Sequence, residues 1–469
     1  MALRCLEQNP SDDNSCQKPR TVTEEKILSG INLSIYICLA AFISLIAMLR
    51  SDRISLGLPV AYLSLLLLDH VPGAFAHAFD EGVLAETGTV EIGIRLTAIG
   101  AVCFVGGVWL ARLGNPNIVY KRVANHTRFW LFCLIGGSIV TFGLGFLYSI
   151  PTLGAIVNNL GGIWILGVML GLQAALHRGD YNLTCFWLAA LAVFPVTGLL
   201  FSGFLSFASR SVIIACCGLI ISSRSLWRVI VSISLATVLG VTIFVNYFAH
   251  RDAIRAAVWG GASMEERIDV VSNALTSFEL FDPTNVKHLN ALDERLNQNF
   301  FEGRAAERIE AGQVNYLYGR SVWEALLAII PRALWPDKPV FGGSGTIVAD
   351  MTGLELSTTT SWGVGNVMEF YINFGIVGLI AGFVLLGWLL GIVDRKAAAA
   401  EIQGDLGQAI LFFLPGIALI VPALSMVELS GGTAAALLAA YGWKWAWAQW
   451  AGIPLYVTRM PDKDTRKLS

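Results

Sequence analysis

The 469-residue sequence is short of charge. Only 14% of its residues are Asp, Glu, Lys or Arg while 55% are hydrophobic; an ordinary soluble chain carries about 25% charged residues. That balance excludes a soluble globular protein. A formal net charge of −2 gives no footing for nucleic-acid binding. The eight cysteines show no metal-ligand or redox spacing. Most of them, such as Cys103, Cys133, Cys216 and Cys217, lie in apolar runs where a thiol serves as a small hydrophobe. Cys5 and Cys16 could pair if the amino terminus lies outside the cell membrane. No cleavable signal peptide is read in the first 26 residues, which are polar and mixed in charge. No internal repeat is visible, and the apolar runs lack the alternation of barrel strands.

Apolar runs of about 20 residues recur instead, each long enough to cross roughly 30 Å of hydrocarbon as a helix. Spans are read at 27–49, 54–76, 91–111, 129–149, 152–176, 182–203, 211–223, 229–249, 362–393, 408–427 and 430–450. The expected fold is an all-α polytopic membrane protein with about eleven transmembrane helices, ten to twelve at the limits. Lys and Arg set the orientation. Arg50, Arg53, Arg112, Lys121, Arg122, Arg128, Arg178, Arg224, Arg228, Arg395, Lys396 and the tail cations fall on one side if the spans alternate. The loop on the other side holds Asp80, Glu81, Glu86 and Glu91. The amino terminus is then outside and the carboxyl terminus in the cytoplasm. The short span at 211–223 is the hinge of this reading: if it does not cross, the later assignments invert.

Five stretches follow: a polar segment 1–26, an amino-terminal bundle 27–249, a large outer loop 250–361, carboxyl-terminal spans 362–450 and a tail 451–469. Within the loop, Ile268, Val271, Leu275 and Phe278 share one helical face, as do Leu289, Leu292, Leu296 and Phe300. They predict amphipathic helices lying on the membrane or on the bundle. "VWEALLAII" at 322–330 is too short to span and reads as a re-entrant or interfacial helix ended by proline.

The outer loop favours arginine. Between 250 and 340 it has eight arginines (251, 255, 267, 295, 304, 308, 320 and 332) and two lysines, 287 and 338. The guanidinium fork matches phosphate oxygens two at a time, which an ammonium does not. Thirteen acidic residues share the segment, so exposed ion pairs are the ordinary explanation for any single arginine. Arg320 and Arg332 stand apart because they flank the short apolar helix. Arg210 sits at the mouth of a short span, where it either snorkels or faces the same cavity.

Three stretches carry a resemblance. "YLYGRSVWEALLAIIPRALWPDKP" (316–339), "EFYINFGIVGLI" (369–380) and "SFASRSVIIA" (206–215) resemble motifs of the Wzy-type polysaccharide repeat-unit polymerases and their relatives, the O-antigen ligases. "DHVPGAFAHAF" (69–79) stands out as a further local signature. The resemblance implies a GT-C-like integral-membrane glycosyltransferase in a bacterial inner membrane, working at its periplasmic face. Its donor and acceptor would be polyprenyl-pyrophosphate-linked glycans, with a flippase and a chain-length regulator as possible partners. Fixed cations would meet the charge developing on the pyrophosphate. Arg332, Arg320, Arg210, Glu369 and His250 are the expected catalytic residues. Lys338, Trp335, Arg255, Arg251 and Asp337 are expected to bind substrate. His288, a further base by type, reads better as helix-end polarity. No Asp-x-Asp pair lies in 250–361, so the expectation is a metal-independent enzyme with no cofactor. Pro331, Pro336 and Pro339 would stop the short helix and stiffen the loop that carries Arg332 and Lys338. "GGSG" at 342–345 would serve as a lid or a close backbone approach. A ligase that moves finished glycan, or a lipid-linked glycan transporter, remains open on the same residues.

Overall fold

A computed structural model describes residues 22–79, 87–114, 126–144, 147, 150, 153–203, 206–223, 225–276, 279–331, 334–335, 337–339, 343–355 and 363–451. Among the described residues the chain is all helical. The first group comprises α1 (Val22–Asp52), α2 (Leu58–Phe79), α3 (Thr87–Ala111), α4 (His126–Ser138), α5 (Leu153–Leu160), α6 (Ile163–Arg178), α7 (Tyr181–Ser202), α8 (Ser206–Ser222) and α9 (Leu226–Trp259). A connecting arm follows, with α10 (Met264–Thr276), α11 (Val286–Arg295), α12 (Asn299–Glu310), α13 (Arg320–Ala328) and α14 (Ser344–Thr352). The chain closes with α15 (Asn366–Gln403), α16 (Leu406–Leu419) and α17 (Met426–Ala451).

Seven helices among the described residues are long and apolar enough to cross a membrane: Glu25–Asp52, Leu58–Ala78, Thr87–Ala111, Leu153–Arg178, Tyr181–Phe201, Val229–Trp259 and Asn366–Gln403. Three shorter apolar helices, Thr127–Gly143, Arg210–Ser222 and Leu406–Leu419, accompany them. The chain is an α-helical membrane protein. Two of the spans read from sequence are interrupted. After α4 the chain makes a π-helical turn at Ile139–Gly143. α16 stops at Leu419, ahead of Pro422.

Short caps set the tight turns. Gly179 is left-handed, and Asp180 then caps α7 by accepting from the Leu183 N–H. Gly404 and Asp405 repeat the device before α16. Ser425 and Glu428 form a reciprocal capping box at the start of α17: Glu428 Oε2 accepts from the Ser425 N–H, and Ser425 Oγ from the Glu428 N–H. α3 and α15 cross where Gly107 lies on the backbone of Val384 and Gly387 on that of Phe104, so any side chain would force them apart.

The end of the bundle that carries Arg50 is closed by ion pairs. Asp52 accepts from Arg112 Nε at 2.9 Å and from Arg395 Nη1 at 2.8 Å. Asp394, fully buried, accepts from the N–H groups of Leu56 and Leu58 and so caps the start of α2. α9 continues past residue 249 to Trp259, which places Arg251 and Arg255 on the end of a bundle helix.

The arm lies on the bundle. α11 packs against α2, and α12 packs against α3. The pattern at 289–300 predicts one helix, but the chain breaks between Arg295 and Asn299. The break falls opposite Pro72. That proline sits inside α2 and cannot donate to the Leu68 carbonyl. There the arm exchanges two backbone bonds with α2: Gly73 N–H to Leu296 O and Gln298 N–H to Asp69 O, both 3.0 Å. Gly73 touches Asn297, Gly93 touches the Asn299 backbone and Gly303 touches the Thr89 backbone, so three glycines admit the arm. Phe278, the last residue of the α10 pattern, lies outside the described residues.

Candidate functional site

Two histidines of α2 anchor the arm. They are seven residues apart, about two turns, and so share a face. His77 Nε2 meets Asp293 Oδ1 of α11 at 2.9 Å, and Asp293 also accepts from Asn297 Nδ2. Asn299 Nδ2 donates to Asn297 Oδ1 and to the His70 carbonyl. His70 Nε2 meets Glu302 Oε1 of α12 at 2.7 Å, and the other oxygen of Glu302 accepts from Thr97. All these groups are buried. Thr97 lies roughly 15 Å along α3 from its start at Thr87, at 1.5 Å per residue. The His70–Glu302 pair is therefore near mid-depth of the bundle, where an ionisable residue is costly and marks function by default. The neighbouring Asp69 interacts electrostatically with Arg210, at the mouth of α8.

The carboxyl-terminal end of α9 and the last turn of α11 gather three guanidinium groups. Arg251 reaches Glu294 at 3.2 Å and Asp252 at 3.3 Å, and lies over the Phe248 ring at 4.1 Å. Arg255 lies over Trp259. Arg295 completes the set. Burial first, then the charge of Arg251, and further the charge of Arg255, hold its guanidinium below the usual arginine value; Glu294 works the other way. The two acids at the cluster face solvent, with side chains 43% (Glu294) and 87% (Asp252) exposed. Arg251 Nη1 is buried with no hydrogen-bond partner among the described residues. Tyr247, on the same stretch of α9, donates to the Gly203 carbonyl and fixes α9 to the end of α7. His250 Nδ1 is 2.9 Å from the Asn246 carbonyl, which puts its proton on Nδ1 and a lone pair on Nε2 in the neutral ring.

Arg320 and Glu369 belong to another polar group, at the meeting of α13, α15 and α17. Arg320 has a side chain 61% exposed and pairs with Glu324 at 3.7 Å. Glu369 is fully buried; its Oε2 accepts from the Met426 N–H at 2.6 Å, and its Oε1 has no partner among the described residues. The Asn-Phe-Gly step at 373–375 breaks α15. Gly375 takes a positive φ of 63°, and Asn373 donates to Ser321 and accepts from the Gly319 N–H. Lys338 donates to the carbonyls of Ala328 (3.3 Å) and Ile330 (2.8 Å), which end α13. Trp335 is half-buried and Asp337 exposed beside it. Arg332 and Pro336 lie outside the described residues, as do Gly342 of the glycine-rich stretch and both Cys5 and Cys16. His288 is buried, accepts from the Asp282 N–H and stacks on Phe281.

The expected site residues thus fall on two groups of helices. α9 packs on α7, α10 and α11, whereas α15 packs on α2, α3, α12, α13 and α16. Tyr62 stands between them: its hydroxyl donates to Asn366 at the head of α15, and it lies within electrostatic reach of Asp69 and Glu302. Sequence reasoning missed Arg295 as a member of the cluster, and the roles of His70, His77, Asp293 and Glu302. Two histidines at a seven-residue interval in an otherwise apolar span were the available signal.

A polytopic helical membrane protein with a docked, arginine-bearing arm is the class these features define. By its family model, which matches residues 79–415, the chain belongs to the DUF8712 family, a domain of unknown function. The match takes in the arm and the arginine cluster, and leaves His70 and His77 just outside it. No curated protein and no solved structure matches the chain.

Proposed function

We propose that the protein is a GT-C-like glycosyltransferase with eleven membrane crossings that joins polyprenyl-pyrophosphate-linked repeat units at the periplasmic face of a bacterial inner membrane. The observation that supports this reading is the crowding of Arg251, Arg255 and Arg295, with His250 next to Arg251 in the chain. Guanidinium groups held close to one another are suited to a ligand carrying two adjacent negative phosphates. In the reaction the acceptor hydroxyl oxygen bonds to the anomeric carbon of the donor glycan. The bond from that carbon to the pyrophosphate oxygen breaks, and the electron pair leaves with the polyprenyl pyrophosphate. His250 Nε2 takes the hydroxyl proton. The arginines meet the charge growing on the leaving group. Arg210, through Asp69, lines the approach from the bundle. Arg320, Arg332, Trp335, Asp337 and Glu369 form the acceptor side in this reading, and Lys338 holds their loop against the end of α13.

The test is reconstitution in vesicles with lipid-linked repeat units, in excess chelator, followed by gel analysis of the glycan. A ladder of lengths supports a metal-independent polymerase. Single repeats only, with restoration by magnesium or manganese, overturn the arginine-only account. Transfer of finished glycan to a new acceptor, with no ladder, identifies ligase chemistry on the same site. One observation favours a second reading, transport of a lipid-linked glycan: the ionisable His70–Glu302 pair at mid-depth. Movement of labelled lipid-linked glycan across the vesicle membrane without elongation would establish it.

A further inference from the structure

We infer that His70 and His77 are positioning residues that set the register of the α11–α12 arm on α2 and thereby place Arg295 beside Arg251 and Arg255. The inference rests on the phosphate-site reading of that cluster. Arg295 has no long element of its own to hold it; it is the last residue of α11, just ahead of the break at Pro72. On one side of it Asp293 is fixed by His77, and on the other Glu302 is fixed by His70. Between these two bonds lie the backbone bonds of Leu296 and Gln298 with α2.

Docking alone does not call for buried histidine–carboxylate pairs. Apolar residues of similar volume would attach the arm at least as firmly. Leu289 and Leu292 already give α11 an apolar face, and such a face tolerates sliding. A slip of α11 by one turn along α2 displaces Arg295 by about 5.4 Å and separates it from the other two guanidinium groups. Two directional bonds, roughly 10 Å apart along α2, forbid that slip. Gly73 adds to the restriction, since a Cβ there would run into Asn297.

The experiment uses full-length protein in nanodiscs with Cys5, Cys16, Cys103, Cys185 and Cys216 each replaced by serine, and with Ala253→Cys and Lys287→Cys. Spin labels then sit on the exposed faces of α9 and α11. The interlabel distance distribution and the affinity for inorganic pyrophosphate are measured for wild type, His77→Ala, His77→Gln, His70→Ala and His70→Gln. Glutamine keeps a donor near the position of Nε2. The expected result is a narrow distribution in wild type that broadens or shifts in the alanine variants. Pyrophosphate affinity should fall on the order of tenfold in step with it, and glutamine should restore both. An unchanged distribution in well-folded alanine variants overturns the inference, whatever the affinity. So does a shift that glutamine fails to restore. Absence of pyrophosphate binding in wild type sinks the phosphate reading instead, and the label distances still decide whether the histidines set the register.

Discussion

Two arginine-rich regions of the molecule invite comparison. At the Arg50 end, Arg112 and Arg395 converge on Asp52, and Asp394 next door caps the start of α2. On the arm side, Arg251, Arg255 and Arg295 converge on one another, and their two acids face water. The residue types are alike, and the balance of charge differs. In the first region each guanidinium finds its carboxylate inside the fold. In the second the cations lie close to one another, with Glu294 beside them nearer the surface. The depth at which the carboxylate sits, rather than the presence of arginine, distinguishes the two regions.

Changing one residue at a time can break this comparison. The largest effect is expected for Arg295→Lys in a polymerisation assay. Loss of a planar, bidentate grip on the leaving group costs on the order of 10²–10³ in rate. Arg112→Lys should leave the rate near wild type, since it serves the clamp. Next comes Asp52→Ala, which leaves two guanidinium groups facing each other without a carboxylate. It should lower unfolding stability by about 3 kcal/mol, read as a fall in denaturant midpoint in detergent, with little change in pyrophosphate affinity.

Arg295→Met should act in the opposite sense, raising Tm slightly. A base whose folded pKa is lowered destabilises the fold as long as it stays charged, and the relief comes only above that pKa. For arginine this lies beyond working pH, so removing the charge is the practical way to see it. Pyrophosphate at 100 times its Kd should stabilise wild type by about 2.7 kcal/mol and the Arg295→Met variant by much less. The smallest effect concerns Asp282, which lies outside both regions. The Thr284 hydroxyl and N–H hold its carboxyl below the usual value of 3.8. That contribution is present above the unfolded pKa and lost as pH falls through the folded one. Asp282→Asn should therefore lower Tm a little at neutral pH and not at all in strong acid.

Much of the fold was legible because membrane spans are written locally. Apolar length marked the long helices, and the proline after Ile330 marked the end of the short helix α13. The break at 296–298 was hidden because the arm's own periodicity is continuous there. The segment it meets, around Asp69 and Gly73, lies more than 200 residues away in another helix. The same distance hid the site. Eight arginines in one segment are visible as composition, but three of them meet only when α9 and α11 pack, while Lys338 turns to the carbonyls of α13. The break in α15 was hidden too: 362–393 read as one continuous span, and neither the positive φ of Gly375 nor the partner of Asn373 could be read from the letters Asn-Phe-Gly.

The His70–Glu302 bond spans 232 residues of sequence. At 5–20 residues per second, a ribosome takes roughly 10–50 s to cover that stretch. For that time α2 is already made and its carboxylate partners are not, so its two imidazoles wait in the nascent bundle without them. Neutral histidine can endure that delay at modest expense, whereas a lysine or arginine at the same depth could not. The acidic half of each pair arrives last, on an arm that docks only after α2 and α3 have been synthesised to receive it.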